Sequence, residues 1–138
     1  MNQGGNYWTL FTPRNLERFA RCFTVPDIMM KHGDTVNLLD FGVDGCVRHA
    51  SGHTPGSIAV ELSSQDALVG DLIASGILIG GIAFTGRAIR PPFEDDPHRV
   101  SRELERLVEQ GARRFHMGHG GPLGPDEVLR HARVLANL

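Results

Sequence analysis

Apolar and polar residues alternate over Ile58–Leu62, where Ile58, Val60 and Leu62 are separated by Ala59 and Glu61. A period of two predicts a strand. Comparable short runs predict strands near 35–39, 44–50 and 66–70. From Asp96-Pro97 the period lengthens. Val100, Leu104, Leu107 and Val108 recur at helical spacing, Pro97 suits the first helical position, and Gly111 suits the stop. Gly124-Pro125 opens a last helix with Val128, Leu129, Ala132 and Leu135 on one face, which places His131 on its polar side. Both helices are amphipathic, so each should pack on a sheet and leave its other side wet. Near the start, Thr12-Pro13 reads as a cap and first position of a helix reaching about Cys22, with Leu16, Phe19, Ala20 and Phe23 as its stripe. The run Leu72 to Thr85 is apolar but too short to cross a bilayer. A buried strand, a pocket wall and an oligomer contact all fit it.

Composition narrows the class. A chain of 138 residues with 41% hydrophobic residues reads as one globular domain, 1–138. A net charge of −2 leaves no electrostatic footprint for nucleic acid. The Arg87–Arg90 and Arg113-Arg114 clusters read as solvated or carboxylate-paired. Cys22 and Cys46 make no disulfide framework and suit reduced thiols in a cytoplasmic protein. No basic region followed by an apolar stretch opens the chain, so neither a signal peptide nor a membrane partner is expected.

Candidate chemistry sits in three glycine-flanked strings. Gly52-His53-Thr54-Pro55-Gly56-Ser57 precedes the 58–62 strand, and Pro55-Gly56 suits a type II turn. Gly70-Asp71 ends the run Ala67-Leu68-Val69. Gly118-His119-Gly120-Gly121 follows Phe115-His116-Met117. His53, Asp71 and His119 would then stand at three strand ends. Imidazole and carboxylate together suit zinc, manganese or iron. The separations exclude a local finger, so such a site must be assembled by tertiary folding. The bland alternatives are an exposed histidine in a turn and an aspartate that only shapes one. His116 has the opposite parity to Phe115 and Met117 and should face away from His119. His32, His49 and His98 read as structural or exposed.

In this order and with these flanks, the three strings make the chain resemble the metallo-β-lactamase superfamily over roughly residues 30–138. The resemblance implies an α/β (α+β sandwich) fold. This chain would supply the C-terminal half of the αββα arrangement, one mixed sheet with helices on one face. Residues 1–29 match poorly and read as an N-terminal cap. The resemblance also implies that His53 helps hold one metal, that His119 helps hold a second, and that Asp71 bridges them.

The superfamily's earlier H-x-H-x-D-H string has no counterpart here. None of the seven histidines (32, 49, 53, 98, 116, 119, 131) lies two positions from another. A whole superfamily domain would need about 200 residues or more. Since a catalytic zinc takes typically about three protein ligands, an intact binuclear site is not expected, and any zinc, manganese or iron should bind weakly or not at all. The expectation is a truncated, metallo-β-lactamase-like binding module, not hydrolytic as a lone chain. It should cover its exposed sheet face by forming a homodimer. The alternative is a metal-dependent hydrolase whose site is completed by dimerisation or by a separately encoded N-terminal half.

Overall fold

The computed structural model describes residues 28–76 and 83–138. The helix expected near 13–22 and the cap expected over 1–29 lie wholly or almost wholly outside the described residues. Five strands form one sheet in the order β1-β2-β3-β4-β7: β1 Thr35–Asn37, β2 Gly45–His49, β3 Ile58–Leu62, β4 Asp66–Gly70 and β7 Arg114–Met117. The first four run antiparallel to their neighbours, and β7 runs parallel to β4, so the sheet is mixed. A small ribbon pairs β5 Ala74–Ser75 with β6 Ala88–Ile89. The helices are α1 Pro97–Glu109 and α2 Pro125–Leu135.

Both helices form where the pattern placed them, because their ends carry the chemistry a helix end requires. Asp96 accepts the Arg99 N–H at 2.9 Å as the N-cap of α1, with Pro97 next to it. Gly111 closes that helix in the left-handed region at φ 102°. Val100, Leu104 and Leu107 of α1 and Val128, Ala132 and Leu135 of α2 are fully buried, in one core with Ala59, Ala67, Val69 and Phe115 of the sheet. The helices therefore cover a single face. Ser101 ties them together by donating to the Ala132 carbonyl at 2.8 Å.

Strand register separates the two faces. One row across the sheet is Asn37, Cys46, Glu61, Ala67 and Phe115; the adjacent row is Val36, Val47, Val60, Leu68 and His116. The first row faces the helices. It is apolar at Ala67 and Phe115 but ionic at Glu61, which meets Arg48 at 3.1 Å and Arg106 of α1 at 3.0 Å. The second row faces away, and Ile58 and Leu68 are 46% and 43% exposed. At its end Asp66 takes 3.0 Å and 2.7 Å hydrogen bonds from Arg114 and His116. Arg114, then His116 and Ser64, hold that carboxylate far below its ordinary range.

Two local expectations are corrected. His131 does not lie on a wet side of α2; it is buried, 3% exposed. Burial, reinforced by the charge of Arg130, lowers its pKa to about 4. The helix is covered on a second side because the 88–90 segment also lies against it, with Glu127 accepting the Ala88 N–H at 2.7 Å and Arg130 reaching the Ala88 carbonyl at 3.3 Å. The turn at Thr54–Ser57 closes by a 3.3 Å backbone bond, but Gly56 stays out of the positive-φ region, so it is not type II. The glycine that carries the special conformation is Gly52, at φ 148°.

Candidate metal-binding cavity

The three expected residues stand on three strand-end loops and line one cavity of about 360 Å³. Each is placed by a specific local contact. Gly52 brings the His53 turn against the start of α1, where a Cβ on it would lie 2.7 Å from the Val100 side chain and 2.8 Å from the Val100 nitrogen. Backbone bonds from Asp96 to the Gly52 carbonyl (2.8 Å) and from Asp95 to the His53 carbonyl (3.2 Å) hold the turn there. His53 is consequently buried, 6% exposed, and its ring lies against Phe93 with centroids 4.7 Å apart.

Asp71 and His119 come together because β4 and β7 run parallel and end side by side, with the Gly118 N–H donating to the Gly70 carbonyl at 2.9 Å. A Cβ on Gly118 would sit 2.6 Å from the Asp71 carboxylate and would push that side chain aside. His119 Nε2 lies 3.9 Å from Asp71 Oδ1, and both side chains are open to solvent. The His119 loop is anchored from below by Ser75, a buried residue whose N–H donates to the His119 carbonyl at 3.0 Å and whose Oγ accepts the Gly121 N–H at 2.6 Å.

The rest of the cavity wall is mostly apolar, with Ala74, Ile89, Pro91, Pro92 and Phe93 joined by Ser75 and Arg90. Within the 72–85 run, Leu72 to Ser75 is buried, and Ala74–Ser75 is both a strand and part of the cavity wall, whereas residues 83–85 are exposed. Spacing gave no sign of Ser75, Phe93 or the neighbouring Glu94. The only signal in the sequence was the rigid apolar string Pro91-Pro92-Phe93 just before a helix cap. His116 faces away from His119, as its parity predicts, and is engaged with Asp66.

An imidazole, a carboxylate and a second imidazole suit a divalent transition metal. The Nδ1 atom of His53 is buried without a hydrogen-bond partner. Yet among the described residues no group of three or more His, Cys, Asp and Glu side chains gathers closely enough to hold an ion. The three side chains thus share one lining without converging on a single point. Among the described residues no helix is long and apolar enough to cross a membrane.

No family model matches the chain, and no curated protein matches it. Solved structures do. A metallo-β-lactamase from Hirschia baltica aligns with a TM-score of 0.54 at 16% identity, over 88% of this chain and 53% of that one. The DIM-1 metallo-β-lactamase aligns at 0.53 and 24% identity, over 91% of this chain and 56% of that one. A metallo-β-lactamase family protein from Thermus thermophilus aligns at 0.52 and 23% identity, over 82% and 35%. The chain thus has the metallo-β-lactamase fold in part, and it spans about half or less of the length of these structures.

Proposed function

We propose that this chain is a self-associating module of the metallo-β-lactamase fold that carries a partial metal site and does not hydrolyse substrate as a lone chain. One observation carries the reading. His53, Asp71 and His119 share a cavity, but no three-residue donor group forms among the described residues. A metal bound there would supply Lewis-acid polarisation of a carbonyl or phosphoryl group. In this reading His53 holds one side of such an ion, and Asp71 and His119 the other. Of these donors only His53 is buried, and the remaining donors come from a second polypeptide surface.

The second surface is another copy of the chain, docked on the open row of Val36, Val47, Val60 and Leu68. A two-fold contact uses one patch twice; among the described residues Leu68 of this row is exposed and Val36, Val47 and Val60 are half-buried, an apolar surface of the kind soluble monomers rarely leave bare. Asp66, Arg114 and His116 would form part of its polar rim. A complementary chain carrying the other half of the fold is the second reading, favoured by the 53% and 56% shares of the solved neighbours that this chain covers.

The test is elemental analysis of the untagged chain, with its mass from light scattering and a hydrolysis screen run on the same sample. The reading predicts a mass of twice 15.1 kDa, less than one tightly held metal per chain, and no turnover. Turnover by a monomer holding its full metal complement would overturn it.

A further inference from the structure

Next in the chain to the cavity-lining Phe93 is a second buried group with an unmet bond. The side chain of Glu94 is fully buried. One of its oxygens accepts from Arg90 Nε at 3.0 Å, and the other, Oε1, has no partner. Burial raises its pKa above the ordinary value, against the pull of Arg90 and, more weakly, of the His53 charge. A buried carboxylate oxygen without a donor is costly, by about 1–3 kcal/mol or more for a charged group, so this one calls for a donor nearby.

The candidates are few. Among the described residues the other buried side-chain atoms without partners are on Arg48, His49, Ser51, His53, Arg106 and His131. Of these, His53 is close enough for its charge to act on Glu94. The residues on either side of Glu94 also hold His53 directly: Phe93 covers its ring and the Asp95 N–H binds its carbonyl. Both orphan atoms thus belong to one structural unit, the turn at 53 packed on the segment at 93–95.

We infer that Glu94 is a positioning residue for His53: its Oε1 accepts the Nδ1–H of the imidazole through one bridging water. The link fixes the neutral tautomer protonated on Nδ1. The lone pair is then on Nε2, the nitrogen left free to bind a ligand in the cavity. Carboxylates behind ligating histidines act in this way by setting ring orientation and raising donor strength. The inference deepens the reading of His53 as a cavity donor, but the tautomer is a property of the chain without any ion.

The experiment is long-range ¹H–¹⁵N correlation of the imidazole nitrogens in the metal-free protein at about pH 8, above the ordinary histidine range. His53 is assigned by comparison with His53→Asn. The expected result is Nδ1 protonated and Nε2 unprotonated in the wild type. Glu94→Gln, whose amide oxygen still accepts, keeps that pattern, and Glu94→Ala loses it. A wild-type His53 protonated on Nε2 overturns the inference even if no variant folds, and so does a pattern that Glu94→Ala leaves unchanged. Because the sample holds no metal, neither outcome depends on whether the cavity binds an ion.

Discussion

The two faces of the sheet are built from opposite materials, and the less apolar one is covered by helices. On the helix side, Glu61 sits in mid-sheet between Arg48 and Arg106, and the five-stranded sheet gives the core only Ala59, Ala67, Val69 and Phe115. The other side presents Val36, Val47, Val60 and Leu68 in a continuous row. Alternation in a strand puts its larger apolar residues where burial is greatest. In β3 those residues are Ile58, Val60 and Leu62, and they face away from the helices. The helices fix the fold of the chain, and the open row is suited to a surface beyond them.

The comparison breaks most sharply at the core. Phe115→Ala removes a fully buried ring and should cost about 3–5 kcal/mol, measured by urea unfolding. Leu68→Ala, on the adjacent strand but the opposite face, should change the stability of the monomer by no more than about 0.5 kcal/mol. Equal losses would mean that both faces are buried within one chain.

Acid tests the helix side next. His131 is held neutral with its pKa near 4, by burial first and then by Arg130. Its contribution to stability is complete above the unfolded value of about 6.5 and is lost as pH falls towards 4, because only the unfolded chain takes up the proton in that window. At about 1.4 kcal/mol per pH unit the ceiling is about 3 kcal/mol. Denaturation midpoints measured between pH 7 and 4 should fall in the wild type and flatten in His131→Phe. Asp66 is also depressed, by Arg114 first, so what it contributes is lost only at lower pH, as its carboxylate protonates.

A smaller effect belongs to the ionic part of the covered face. Glu61→Gln weakens its links to Arg48 and Arg106 and should cost about 1 kcal/mol. A thermal melt showing no change would mean that these half-buried pairs only balance their desolvation.

How much of this could be read in the chain depended on whether a signal was local. Strand and helix positions were legible because caps, glycines and periodicity all act within a few residues. His53, Asp71 and His119 stood out because each adjoins glycine at a strand end, and the structure gathers them in one cavity. What the helices would cover was not legible, since period two marks alternation and not which side is in. His131 was misread for the same reason: its helix is packed on two sides, and the second cover, around Ala88, is an irregular segment far away in the chain. Ser75 and Phe93 join the cavity, and Glu94 the segment beside it, through tertiary contacts that no spacing rule describes.

The central claim is that the open row is an interface for a second copy, and sedimentation of the full chain beside Val60→Lys/Leu68→Lys tests it most directly. The account predicts a wild-type dimer whose mass falls to that of one chain in the double variant, while the far-ultraviolet circular dichroism is unchanged. A wild type that sediments as a monomer, or a double variant that remains a dimer, would contradict it.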